Sequence, residues 1–348
     1  ESFGQEMSDA VASEFYMVNF NRPDVYDADG GLEELAPKVY EPGGSLEQVR
    51  PLVQELLESY NKEFPAKKME LVLFNDALEH LLRINRLMEM PRGSGLLVGV
   101  GGSGKQSLTR LSSYISRALN FQITLTKQYN KNTFLEDMQV LYKNAGHQRK
   151  PTTFLFTESE IKDEVFLEYI NSVLLTGEIP GLFAKDEILA ITADLRNSFI
   201  KDRPGDDDSA DNLKQYFVDQ VRDNLHLMIC MSPMNPKFPI RARKFPGIIS
   251  CPTIDWFLPW PADALVALSR AFIQNFEVEC TPEVKQGLMT HMGMVHSMVT
   301  DVCDEYFARM RRKVFQTPKS YLSFIQNFTV AYSTKLAELK IKESRVNL

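Results

Sequence analysis

Two kinds of apolar pattern alternate along the middle of the chain. Short, mainly apolar runs stand at Leu96-Leu97-Val98-Gly99-Val100, Phe121-Gln122-Ile123-Thr124-Leu125, Thr153-Phe154-Leu155-Phe156, Leu225-His226-Leu227-Met228-Ile229-Cys230-Met231 and Ile248-Ile249-Ser250-Cys251. Runs of this kind predict strands covered on both faces, as in a parallel sheet. Between them apolar residues recur every three or four positions: Leu108, Leu111, Ile115 and Leu119 after the first run, then Leu135, Met138 and Leu141, then Phe166, Tyr169, Ile170, Val173 and Leu174. That spacing places each set on one helical face. Strand and helix in succession imply right-handed crossovers and an α/β fold, a parallel five-stranded sheet covered by helices.

The flanks read differently. Residues 1–45 carry strand-like and turn-like pieces and end in the breaker cluster Glu41-Pro42-Gly43-Gly44-Ser45, which marks them as a leading extension or linker. Helical spacing from Leu46 is broken at Pro91-Arg92-Gly93, and Asp202-Arg203-Pro204-Gly205-Asp206-Asp207-Asp208 is polar and turn-rich enough to be a surface loop without chemistry. After Pro259-Trp260-Pro261 the pattern is helical to the end, so a small all-α domain over 261–348 follows a large α/β domain over 46–260. Thr317-Pro318 has the form of an N-cap followed by proline in the first helical turn. The helix it opens carries Leu322, Ile325, Thr329, Tyr332, Leu336, Leu339, Glu343 and Val346 at heptad-like spacing. A solvated terminal helix and a coiled coil are both open readings of that seam.

A net charge of −7 argues against a surface that neutralises nucleic-acid phosphates. No stretch has the 18 or more consecutive apolar residues of a membrane span, and the first residues lack a basic, then apolar, leader; the expectation is a soluble, unsecreted chain. Cys230, Cys251, Cys280 and Cys303 are too far apart for a Cys-x-x-Cys pair and have mostly apolar neighbours, which predicts reduced core thiols of a cytosolic protein. His291 and His296 are five apart, off the spacing of a helical zinc pair, so no metal site built by protein ligands alone is expected. The charged helical pattern at the end, without a stop signal, predicts a piece of a longer protein.

One motif brings chemistry to this frame. Gly99-Val100-Gly101-Gly102-Ser103-Gly104-Lys105 follows the first run and opens the Leu108 helix, the strand, glycine-rich loop and helix of a phosphate-binding P-loop. Glycines let backbone N–H groups converge on an anion, and the helix N-terminus adds positive potential. Gly99, Gly101, Gly102, Ser103 and Gly104 form the predicted cradle, and Lys105 would reach the β- and γ-phosphates. The hydroxyl that ligates magnesium in this pattern should come next, but Gln106 stands there. Ser107 follows one residue late, about 100° of helical rotation away, and does not simply substitute.

At the end of the third run Glu158 is placed to hold magnesium directly or through water. The residue after it, which should orient attacking water, is Ser159, a poor base, with Glu160 one position further on. The competing reading is that Glu158 and Glu160 cap the next helix. Ser232, at the end of the fourth run, has the position of a γ-phosphate sensor. Arg241, Arg243 and Lys244 form a basic cluster before Phe245-Pro246, suited either to an arginine finger or to a solvated loop. Lys319 would direct its ammonium at nucleotide from the small domain.

Pro91-Arg92-Gly93, the loop from Gly99 to Ser107, Phe154-Leu155-Phe156-Thr157, Gly177-Glu178-Ile179-Pro180-Gly181-Leu182-Phe183, Arg243-Lys244-Phe245-Pro246, Thr253-Ile254-Asp255-Trp256-Phe257 and Thr317-Pro318-Lys319-Ser320-Tyr321-Leu322 together resemble the fourth AAA+ module of an axonemal dynein heavy chain, of the outer-arm rather than the inner-arm kind. The resemblance implies a six-module ring in which the first module is the main ATPase and the fourth binds ATP or ADP, with Mg2+, and modulates the motor. It further implies a stalk, running on from the helix after Thr317, that carries a microtubule-binding tip. Arg241 or Arg243 would face the nucleotide of the preceding module, and Lys319 would be the small-domain sensor. Implied partners are the neighbouring modules, the microtubule, and dynein intermediate and light chains, in the cytoplasm and the axoneme of a cilium or flagellum. With Gln106, Glu158 and Ser159 departing from the motif, the expected function is regulatory nucleotide binding with weak hydrolysis. The alternatives are a competent ATPase using Glu160 or an acid from elsewhere as base, and a structural ring segment whose pocket is vacant or permanently occupied.

Overall fold

A computed structural model describes residues 15–26, 32–312, 314 and 316–346. Residues 1–14 and 27–31 of the expected leading extension, and the side chain of the heptad residue Val346, lie outside the described residues. The described chain falls into two compact units, one within Glu1–Val98, Gln106–Met231 and Asn235–Asp255, the other within Gly99–Lys105, Ser232–Met234 and Trp256–Leu348.

The first unit begins with four short strands in two antiparallel pairs: β1 (Tyr16–Val18) with β4 (Glu41–Gly44), and β2 (Val25–Tyr26) with β3 (Leu32–Glu34). Helices Leu46–Glu63 and Asn75–Glu89 follow. The main sheet has β5 (Gly95–Gly99), β6 (Leu119–Gln122), β7 (Thr152–Thr157), β8 (Leu225–Met231) and β9 (Thr253–Phe257) in the order β6-β7-β8-β5-β9, and it is parallel. Its register runs Thr152 beside Leu225 to Thr157 beside Cys230, and Gly95 beside Met228 to Val98 beside Met231. The three inner strands are buried at every residue, whereas β6 and β9, at the edges, are partly exposed. Continuous apolar runs mark the inner strands because both of their faces are covered.

Three expectations are corrected here. The segment Ile248-Ile249-Ser250-Cys251 is not the fifth strand; Gly247–Ser250 is a short helical turn, and the fifth strand is Thr253–Phe257. That edge strand alternates exposed and buried positions and buries a carboxylate, so it lacks the apolar run of an inner strand. β6 begins at Leu119, which the periodicity placed on the preceding helix: the helix Lys105–Ile115 ends earlier because Arg117 turns the chain with φ +55°. The cysteines also differ from a uniform set of core thiols. All four are free, but Cys230 alone is buried, while Cys251 and Cys280 are exposed at turns between elements.

Aromatic rings fill much of the core beneath the sheet. Phe134, Phe156 and Phe166 are fully buried, and the rings of Phe134 and Phe166 stack with centroids 4.5 Å apart. Each contributes about 1.5–3 kcal/mol by leaving water. Helices Lys185–Asp202 and Ala210–Asn224 flank the polar loop between them, and Asp202 and Asp208 pair there with Arg149 and Arg196.

The second unit is built on helices Ala262–Ile273, Pro282–Met310 and Pro318–Val346. Ser269 donates to Met289 O at 2.8 Å and Tyr321 donates to Leu265 O at 2.8 Å, tying the three together around Leu265, Leu268, Met292 and Ile325. Thr317 caps the last helix by accepting from Ser320 N at 3.2 Å. The heptad seam on that helix is at least partly buried from Leu322 to Leu336 and exposed at Leu339 and Glu343. Among the described residues no helix is long and apolar enough to cross a membrane.

Candidate functional site

β5 delivers the chain into the glycine-rich loop. Gly102 and Gly104 take φ +82° and +95°, the left-handed region in which a side chain is strained. At Gly102 there is also no room: an added Cβ would lie 2.6 Å from Lys319 Cβ and 2.8 Å from Lys319 N. The bare backbone therefore lets the first turn of helix Pro318–Val346 rest on the loop. At Gly99 a Cβ would meet Phe257 Cβ at 2.6 Å, so a second glycine is required by close approach.

Lys105 is buried, and its Nζ donates to Gly99 O at 2.8 Å, Val100 O at 2.8 Å and Ser103 Oγ at 3.0 Å, with the Phe257 ring centroid 6.0 Å away. The ammonium is thus turned into its own loop and braces it. Helix Lys105–Ile115 starts at this residue, and the first N–H groups of a helix have no carbonyl partner within it. Left-handed glycines, a helix start and an ammonium held by weakly competing carbonyls fit a phosphate group. Gln106 is exposed and Ser107 half-buried on the same helix. Ser232 accepts from Met234 N at 3.3 Å in a turn after β8, and the Lys319 side chain is exposed.

The end of β7 is of another kind. The chain leaves Thr157 through one tight turn, Glu158–Glu160, closed by a capping box in which Glu160 accepts from Thr157 N at 2.6 Å. Glu160 also accepts from Gln122 Nε2 at 2.9 Å and is almost fully buried. Burial pushes its carboxyl above the ordinary range, against the hydrogen bonds from Thr157 and Gln122 that favour the ionised form. Its bonds close the turn Glu158–Glu160 itself rather than cap the helix Val165–Thr176, as the competing reading from sequence had it. Ser159 is exposed, its hydroxyl 2.8 Å from that of Thr157.

Glu158 is brought together with Arg241. Arg241 Nη1 donates to Glu158 Oε1 at 3.3 Å, its Nε and Nη2 donate to Glu164 Oε1 at 3.0 and 2.9 Å, and Asn235 Nδ2 donates to Glu158 Oε1 at 2.5 Å. Arg241 is buried, so the side chain expected to face a neighbouring module is directed inward to two carboxylates. Arg243 is exposed, with Nε donating to Pro239 O at 3.3 Å. This donor set decides whether Glu158 fits a magnesium ion. A carboxylate already neutralised by a guanidinium and bonded to an amide is built as half of an ion pair, and it does not fit the role of metal ligand expected from sequence.

Sequence reasoning missed Asn235, Glu164, Gln122 and Phe257. Asn235 had a weak signal, a polar residue three positions after Ser232 beyond a strand end, and Glu164 had one as an acid just before a helix. Gln122 and Phe257 had none, because what makes them relevant is the partner across the fold.

A family model described as the P-loop containing dynein motor region D4 matches residues 69–330. The chain is 46% identical over 353 aligned residues to dynein axonemal heavy chain 5 of Rattus norvegicus, covering 100% of this chain and 10% of that protein. It is 48% identical over 280 residues to the dynein gamma chain, flagellar outer arm, of Chlamydomonas reinhardtii, covering 80% of this chain and 6% of the relative. Dynein axonemal heavy chain 8 of Homo sapiens is 41% identical over 352 residues, 100% of this chain and 8% of the relative. The chain thus spans a tenth or less of the length of these relatives.

Proposed function

This chain belongs to the P-loop-containing dynein motor region D4 family, and from that premise we propose that it is the fourth, regulatory AAA+ module of an axonemal heavy chain, binding ATP or ADP with little hydrolysis of its own. The observation that carries the reading is a contrast between two residues. Lys105 is buried in a loop of left-handed glycines and held by carbonyls that a phosphate would displace. Glu160, the acid nearest the place of a water-orienting base, is tied into the turn Glu158–Glu160. A phosphate site with no poised base binds longer than it cleaves.

The module comprises a large domain over 46–260 and a small helical lid over 261–348. Gly99 to Ser107 with Ser232 and Lys319 take the nucleotide, and occupancy biases the helix after Thr317, which continues toward the stalk and the microtubule. Arg243 is the better placed of the two arginines to serve a preceding module, being exposed where Arg241 is buried. The parent protein acts in the axoneme of a cilium or flagellum beside neighbouring modules and intermediate and light chains. The outer arm is favoured by the 48% identity to a flagellar outer-arm chain.

The test is the nucleotide content of the purified chain by chromatography, followed by single-turnover hydrolysis with and without magnesium. Nucleotide bound near one per chain, with negligible turnover, is the expected result. Turnover at the rate of competent P-loop ATPases would overturn it in favour of an active ring ATPase, and a pocket that no added nucleotide fills would leave a structural ring segment.

A further inference from the structure

We propose that Arg241 acts within its own module as a positioning residue: with Asn235 it neutralises and holds Glu158, so that this chain binds nucleotide without a divalent cation at that carboxylate. The inference rests on the nucleotide-binding reading for its consequence but not for its geometry. Arg241 is 5% exposed, and a buried guanidinium must keep its carboxylates, because removing a partner strands a charge in a low-dielectric surrounding. It has two, Glu158 and Glu164. The amide is equally committed. Asn235 Oδ1 accepts from Lys237 N at 2.9 Å, which turns its Nδ2 toward Glu158 Oε1.

The helix that carries Arg241, Phe238–Lys244, is itself anchored, since Phe245 and Ile248 directly after it are buried in the core. Reaching a neighbouring module would require Arg241 to abandon both carboxylates and leave that core. Binding a divalent cation at Glu158 would bring it against a guanidinium already there, and like charges about 4 Å apart repel by about 4 kcal/mol per unit charge at an effective dielectric constant of 20. The Glu158 pair and a metal are thus alternatives.

The experiment uses Mn2+ as the probe, read by the loss of its free electron paramagnetic resonance signal, on the purified chain with and without ADP. The Mn2+ titration of Glu158→Gln should match that of the unaltered chain, and ADP affinity should differ less than about threefold between Mn2+ and chelator, since in this reading no metal leaves or joins Glu158. Arg241→Met should make ADP affinity sensitive to Mn2+ by about tenfold or more, because the freed carboxylate then takes the cation. A merely structural arginine would lower stability without creating that sensitivity. If the unaltered chain holds Mn2+ and Glu158→Gln releases it, the inference is overturned. That comparison stands even if Arg241→Met does not fold. Should ADP fail to bind at all, the nucleotide reading falls, and the Mn2+ titrations of the unaltered chain and Glu158→Gln still decide the pairing.

Discussion

The ends of β5 and β7, strands of one parallel sheet, have been finished in opposite ways. After β5 the backbone is shaped by glycines at φ +82° and +95°, and the charge present is a single ammonium bonded to neutral carbonyls. After β7 each acid already has a partner: Glu160 a backbone N–H and an amide, Glu158 an amide and a guanidinium. Carbonyls give up an ammonium to a phosphate at small cost, whereas the buried guanidinium of Arg241 gives up its partly exposed carboxylates at a larger one. The first strand end is open to a ligand and the second is closed on itself. If the first end holds phosphate as proposed, binding and hydrolysis are separable in this fold, since the residues for one can be kept while those for the other are absorbed into structure.

The largest test of that contrast is Lys105→Ala. Losing a charge-assisted partner of phosphate should weaken ADP binding by about 1.5–3 kcal/mol, or about 10- to 150-fold in titration calorimetry. Affinity unchanged by the substitution would show that phosphate does not sit in this loop. Gly102→Ala comes next. The left-handed backbone costs an L-residue about 1–2 kcal/mol, and the new methyl group meets Lys319, so both the thermal midpoint and ADP affinity should fall. A loss of affinity at unchanged stability would mean that the clash is relieved by moving Lys319 rather than by distorting the loop.

Glu160→Gln probes the closed end with a smaller effect. Because burial raises the Glu160 carboxyl in the folded chain, its contribution to stability is fully present below the ordinary carboxylate range and is lost as pH rises through the raised value. Glutamine keeps an acceptor for Thr157 N and cannot ionise. The stability of Glu160→Gln relative to the unaltered chain should therefore improve from about pH 4.5 upward, the ordinary carboxylate range, as followed by thermal unfolding across pH. A difference that stays flat would mean that Glu160 carries its charge without cost and could serve as a base.

The glycine loop was legible in the sequence because its chemistry is local: the strand, the glycines, the lysine and the helix are contiguous. Strand β8 was likewise readable to its ends, Leu225–Met231, since an inner strand writes its burial on every residue. β9 was not. Its buried residue Asp255 is satisfied by His80 at 2.7 Å, 175 positions away, and a polar residue whose partner is that remote looks exposed when read along the chain. The surroundings of Arg241 were hidden for the same reason. In sequence it belongs to a basic cluster, while its partners Glu158 and Glu164 lie 83 and 77 positions earlier. A glycine-rich turn is written in the sequence; an ion pair between remote residues is written in the fold.

The smallest expected effect separates the two arginines that sequence left equivalent. Arg243 is exposed and donates to the carbonyl of Pro239, four residues before it. Arg243→Ala should change the stability of the isolated chain by less than about 0.5 kcal/mol, as surface substitutions do, and leave its ADP affinity alone. Arg241→Ala, by contrast, should cost about 1–3 kcal/mol, because a buried guanidinium and its two partly exposed carboxylates lose their bonds. Thermal unfolding of the two variants side by side measures the difference. Equal, small effects would mean that Arg241 is not held inside its unit in solution, and the closed strand end would then be open to rearrangement when a neighbouring module is present. Unequal effects leave Arg243 as the arginine available to act between modules, because removing it costs the module that carries it almost nothing.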